Sequence, residues 1–122
     1  MKHVLIIEDE MLIAMHLESL IADIDDMTVD LAATESEAVQ LAGMRPPSLI
    51  LSDIRLAEGT GPAAVRTIRE MLGPVPVIYV TGNPDQADRD APVIAKPIRD
   101  DLLIATASSM LADGSSAAMA NA

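Results

Sequence analysis

Short aliphatic runs alternate along this chain with longer stretches in which apolar residues recur every three or four positions. The runs at 3–7, 48–52, 75–80 and 92–95 read as buried strands, and 28–33 reads as a further strand. Between them, 10–24 carries Ile13, Leu17, Leu20, Ile21 and Ile24 on one helical stripe. Thr34 is placed to cap a second helix, with Glu37 three residues on as its capping-box partner and an end near Met44. Arg45-Pro46-Pro47 breaks that helix. A third helix starts near Pro62, buries Val65, Ile68 and Leu72, and stops at Gly73-Pro74. The last spans 100–111, with Leu103, Ala107, Met110 and Leu111 inward.

Two segments lack such a face. The stretch 55–61 carries two glycines and reads as a loop, and 82–91 reads as a loop with at most one helical turn. Residues 113–122 are mostly small, with Gly114-Ser115-Ser116 near the start, and read as a disordered tail beyond a domain of 1–112. Strands alternating with helices imply right-handed crossovers and a parallel sheet covered on both faces. The expected fold is a flavodoxin-like (βα)5 doubly wound α/β sheet of strand order 2-1-3-4-5, its fourth helix short or replaced by a loop.

Composition narrows the function. With 122 residues the chain is one domain, and half of its residues are hydrophobic. A formal net charge of −11, without any Lys/Arg cluster, argues against direct nucleic-acid binding. Tyr79 is the only aromatic, so base stacking is excluded too. There is no cysteine for disulfide or thiolate chemistry, no run long enough to span a membrane and no leader-like start. A cytoplasmic location is expected. The eight methionines read as core filler, and His3 and His16 as structural residues, since neither belongs to a ligand-type cluster.

The chemistry sits at the strand ends. Glu8-Asp9-Glu10 follows the first strand, Asp53 the third, Thr81 the fourth and Lys96-Pro97 the fifth. In an open parallel sheet these ends share one edge, where ligands bind. Mg²⁺ prefers one or two carboxylates together with water and phosphate oxygens, so Glu8, Asp9 and Asp53 suit it. Three carboxylates so close repel one another, which raises their pKa values unless a cation is bound. Asp53 is the candidate nucleophile, Thr81 a hydroxyl for a phosphoryl oxygen, and Lys96 a point charge for the same group. Pro97 is a candidate for a cis peptide, since cis bonds are nearly confined to proline. Taken singly, the acidic run could serve the first helix dipole. Likewise, Asp53, Thr81-Gly82 and Lys96-Pro97 could be ordinary strand exits and turns.

Together, in this order, these residues resemble the receiver domain of two-component response regulators over about residues 2–112. The resemblance implies that Asp53 accepts phosphate from a sensor histidine kinase. It also implies that Glu8, Asp9, Asp53 and the Arg55 backbone carbonyl hold Mg²⁺, and that Thr81 and Lys96 meet the phosphoryl group. The stretch Asp53-Ile54-Arg55-Leu56-Ala57-Glu58-Gly59-Thr60-Gly61 and the run Tyr79-Val80-Thr81-Gly82 are similar to the alphaproteobacterial FATGUY receivers. That group includes a stress regulator's receiver and stand-alone receivers. Asn83-Pro84 stands where their motif ends in a tyrosine, and Val93 where ordinary receivers carry an aromatic. Thr81 and Lys96 are fifteen positions apart, short by roughly two helical turns for a full fourth helix.

The resulting expectation is a single-domain response regulator of the general stress response, signalling or relaying phosphate through protein contacts. Its partners would be a histidine kinase and other phosphorelay or stress-response regulators, with no direct nucleic acid and no membrane. It would be no enzyme beyond its own phosphorylation and dephosphorylation. An Asp-nucleophile phosphatase is the rival, but haloacid-dehalogenase-like phosphatases need an acid two residues after the nucleophile, and Arg55 stands there. A phosphorylation-independent interaction module is the other alternative.

Overall fold

Five parallel strands form one sheet in the order β2-β1-β3-β4-β5. The computed structural model describes residues 2–24, 26–84 and 91–120. In chain order the elements are β1 (Lys2–Ile7), α1 (Met11–Ala22), β2 (Met27–Ala32), α2 (Glu35–Met44), β3 (Leu49–Ser52), α3 (Gly61–Leu72), β4 (Val77–Thr81), β5 (Val93–Ala95) and α4 (Asp100–Ala120). The order matches the expected flavodoxin-like sheet. β1, β3 and β4 lie between neighbours and are buried almost throughout, which is why they read as continuous apolar runs.

Alternate residues of each strand enter two cores. One face carries Val4, Ile6, Leu51 and Val80 against Leu17 and Ile21 of α1 and Leu103 of α4. The other carries Leu5, Ile7, Ile50 and Tyr79 against Ala38 of α2 and Val65 and Ile68 of α3. Both histidines are structural, as expected. His3, buried on β1, bonds Thr28 Oγ1 at 2.7 Å and Asp30 Oδ2 at 3.0 Å, and His16 joins α1 to Asp100 of α4 at 2.8 Å.

Two details depart from expectation. Thr34 Oγ1 accepts from Glu37 N at 3.1 Å as the cap, but the Glu37 carboxylate reaches the Ala33 amide, one residue before the capping position. The final helix runs to Ala120 instead of stopping at Leu111. Alanines at 117, 118 and 120 favour helix, a bias that apolar periodicity does not register. Among the described residues no helix stands between β4 and β5. Most of the expected 82–91 loop, residues 85–90, lies outside them. No helix among the described residues is long and apolar enough to cross a membrane.

Candidate functional site

The parallel register decides where polar side chains collect. Ile7 is level with Ala32 on one side and Ser52 on the other, Ser52 with Tyr79, and Thr81 with Ala95. The residues that follow, Glu8, Asp53 and Lys96, therefore leave the sheet at one edge. Main-chain bonds extend the ladder past the strands: Glu8 N donates to Ala32 O, Asp53 N to Ile7 O and Lys96 N to Thr81 O, all at 2.8–2.9 Å.

Glu8, Asp9 and Asp53 each place a carboxylate oxygen within 4.8 Å of the others. Their exposures differ: Glu8 is buried, Asp53 half-buried and Asp9 exposed. Glu8 Oε2 accepts from the Glu10 amide at 3.1 Å, and Asp53 Oδ1 from the Ile54 amide at 2.7 Å. The remaining oxygens, Glu8 Oε1 and Asp53 Oδ2, both accept from Lys96 Nζ at 2.9 Å. The lysine thus bridges two carboxylates, a contact that strand-end reasoning had not assigned to it. The Lys96-Pro97 peptide is cis.

Burial pushes the Glu8 carboxyl above the usual range; bonds from Lys96 and the Glu10 amide pull it back, and the Asp53 charge adds only a small upward push. Repulsion from the Asp53 carboxylate, expected from its proximity, is therefore the smallest of these influences on Glu8. For Lys96, burial acts downward, but the hydrogen bonds to Asp53 and Glu8 outweigh it and hold the ammonium above its ordinary value.

A hard divalent cation fits this donor set. Carboxylate oxygens from two adjacent strand ends converge, and Asp9, the exposed member, faces water that could complete an octahedron. Arg55, whose carbonyl is the expected further ligand, lies on the loop after β3 and pairs with Thr60 in an antiparallel bridge. Thr81 is buried at the end of β4, and its Oγ1 accepts from the Asn83 amide at 3.0 Å.

Three residues that strand-end reasoning passed over shape the site. Ser52 Oγ donates to Asp53 O at 2.7 Å. Gly61, the first residue of α3, donates its amide to Ile54 O at 2.8 Å, and a Cβ there would overlap Asp53 O and Ser52 Oγ. Glu35, at the start of α2, accepts from the Thr60 amide at 3.1 Å. In sequence Gly61 is one glycine of a loop, and Ser52 and Glu35 carry no local signal of these contacts.

Comparisons with known proteins agree with this architecture. The family model for the response regulator receiver domain matches residues 4–108. The phyllosphere-induced regulator PhyR of Methylorubrum extorquens is 42% identical over 103 residues, 79% of this chain and 38% of that protein. The solution structure of the Erythrobacter litoralis PhyR receiver domain superposes with a TM-score of 0.80 at 37% identity, covering 90% of this chain and 89% of the other. The crystal structure of the anti-anti-sigma factor PhyR from Bartonella quintana gives a TM-score of 0.83 at 34% identity, covering 99% of this chain and 51% of that one. The chain thus spans about half or less of these full-length PhyR proteins. A match over nearly the whole sheet, together with the sequence likeness to PhyR receivers, makes this chain a member of the response regulator receiver domain family.

Proposed function

We propose that this protein is a response regulator whose Asp53 accepts a phosphoryl group from a histidine kinase in a Mg²⁺-dependent reaction. The observation that carries the reading is the meeting of Glu8, Asp9, Asp53 and Lys96, drawn from three strand ends, around one small volume. A carboxylate oxygen of Asp53 attacks phosphorus, the O–P bond forms as the P–N bond of the phosphohistidine breaks, and the electron pair returns to the imidazole nitrogen. Mg²⁺, bound by Glu8, Asp9, Asp53 and the Arg55 carbonyl, would neutralise charge on the phosphoryl oxygens. The Ile54 amide holds Asp53 Oδ1 and so limits rotation of the nucleophile. The Lys96 ammonium, 2.9 Å from Oδ2, has only to let go of the carboxylate to meet the new phosphoryl oxygens. Thr81 would contribute its O–H as a donor to the same group, its Oγ1 accepting from the Asn83 amide.

A protein donor is supported by the surface beside the site. Met11, Leu12 and Met15 of α1 are exposed, and a cleft of about 350 Å³ lined by Leu12, Ile13, His16, Lys96, Pro97 and Ile98 opens next to the lysine. Signalling in the general stress response, through contacts with other regulators in the cytoplasm, is the pathway we assign. The likeness to PhyR receivers, one of them from a protein described as an anti-anti-sigma factor, supports it. The phosphatase alternative lacks its second acid, since Arg55 stands two residues after Asp53.

Intact-mass spectrometry after treatment with acetyl phosphate and Mg²⁺ tests the core of the reading. The wild type should gain one phosphoryl group and Asp53→Asn none, because the amide is nearly isosteric but not nucleophilic. An unmodified wild type, or an adduct on the Asn variant, refutes it. Incubation with radiolabelled histidine kinases of the same genome then identifies the donor.

A further inference from the structure

The loop from Ile54 to Thr60 touches the candidate site at its start and α2 at its end. At the start, the Ile54 amide holds Asp53 Oδ1 at 2.7 Å, and Ile54 O accepts from Gly61 N at 2.8 Å. The loop closes on itself through the Arg55–Thr60 bridge and a 3.3 Å bond from Leu56 N to Gly59 O. Ile54 is buried in the core and Leu56 packs against it, while Arg55 and residues 57–60 are exposed.

Half-buried Glu35 fastens the far end of the loop to α2. The Glu35 carboxylate accepts from the Thr60 amide at 3.1 Å, while the Glu35 amide donates to Glu58 O at 3.1 Å. Between those two bonds lies Gly59, at φ +79°, where a side chain would run into the Glu35 carboxylate. The carboxylate is therefore seated in a notch that the loop leaves open for it. An acid in the first turn of α2 would also serve the helix dipole. The dipole alone, however, would not account for a carboxylate turned out of its helix onto the amide of Thr60, twenty-five residues away.

We infer that Glu35 is a positioning residue for the metal half of the site: by fixing the 54–60 loop it sets the Asp53 carboxylate and the Arg55 backbone for Mg²⁺. The inference rests on the proposed phosphoryl-accepting function. It separates two acids of one helical turn, Glu35 and Glu37. Glu37 caps α2 through Ala33 and does not touch the loop; Glu35 does. Loss of an outer partner that orients metal ligands costs about 10–100-fold in metal affinity, so the effect should appear in Mg²⁺ dependence.

The test compares wild type, Glu35→Ala, Glu35→Gln and Glu37→Ala. Two readouts are used: amide chemical shifts of the full chain titrated with Mg²⁺ alone, and the Mg²⁺ dependence of acetyl-phosphate labelling. Glu35→Ala should raise half-saturating Mg²⁺ by about ten-fold in both. Glu35→Gln, which keeps an oxygen for the Thr60 amide, should restore most of the affinity. Glu37→Ala should lower the melting temperature and leave half-saturation unaltered. Should Glu35→Ala fail to fold, Glu35→Asp withdraws the oxygen by one methylene and must show the same Mg²⁺ shift. Unchanged Mg²⁺ affinity in the Glu35 variants, or equal shifts in the Glu35→Ala and Glu37→Ala variants, overturns the inference. A wild type that neither binds Mg²⁺ nor labels refutes the proposed function, and the inference with it. A wild type that does both while Glu35→Ala behaves identically refutes the inference alone.

Discussion

Replacing Gly61 with alanine sets two effects of opposite sign against each other. Gly61 is the first residue of α3, and its φ is not positive, so alanine meets no backbone objection. Reduced freedom of the unfolded chain would stabilise the variant by about 0.4–1 kcal/mol. Against this, the new methyl overlaps the Asp53 carbonyl oxygen and Ser52 Oγ and lies 3.0 Å from the Asp53 carbonyl carbon. Main-chain atoms at the end of a central strand cannot step aside as a flexible side chain can. Overpacking of this kind costs roughly 1–3 kcal/mol, so the clash should win by about 1–2 kcal/mol, a fall in melting temperature of roughly 4–8 °C for a domain this small. Gly43→Ala supplies the control. It sits within α2, its new methyl would meet only Met71 Cε at 3.9 Å, and it should stabilise by about 0.5–1 kcal/mol. Urea denaturation of both variants, analysed at equal m-values, decides the matter. A Gly61→Ala protein as stable as wild type would mean that α3 does not press on the Asp53 backbone as described.

In thermal melts at low salt, millimolar Mg²⁺ should stabilise the wild type, and Asp9→Ala should weaken that response and slow labelling; a flat wild-type response would count against the acidic cluster as a metal site. Lys96→Met strands the buried Glu8 without its cation and should cost about 3 kcal/mol at pH 7, less as the pH falls and the raised Glu8 carboxyl takes up a proton; a pH-independent loss would show that the bridge is not electrostatic. Because the Glu8 carboxyl is raised in the fold, the folded state holds its proton more tightly, and this contribution fades as pH rises from the ordinary carboxylate range through the raised value. In EDTA, Glu8→Gln should therefore flatten the stability profile across that window, and an unchanged slope would assign the effect to other groups. The Lys96 contribution runs the same way but is lost only under alkaline conditions, above the ordinary lysine value.

The sheet was legible because its inner strands are buried on both faces and so appear as unbroken aliphatic runs; Leu49-Ile50-Leu51 admits little else. Strand ends of a parallel sheet share an edge, and this made the nearness of Glu8, Asp53 and Lys96 readable before any distance was known. What stayed hidden were contacts between elements. The burial that separates Glu8 from its neighbour Asp9, the pressure of Gly61 on Asp53 and the grip of Glu35 on Thr60 all depend on how helices and loops dock on the sheet. No local pattern encodes those. The length of α4 escaped for another reason: its last turns rest on alanine propensity, with no apolar period to mark them.

The bond from Lys96 to Glu8 closes a separation of 88 positions through a strand of only three residues at the edge of the sheet. Contacts between remote parts of a chain are costly to form early, and short edge segments are the first to open. On a growing polypeptide, Glu8 emerges long before the lysine that will neutralise it, so the acidic centre cannot be completed until β5 has docked. In the finished molecule the same geometry makes brief detachment of β5 enough to withdraw the ammonium while the other four strands stay paired. Competence for phosphoryl chemistry would then track the integrity of the weakest strand, and hydrogen exchange at Ile94 and Lys96 should rise and fall with it.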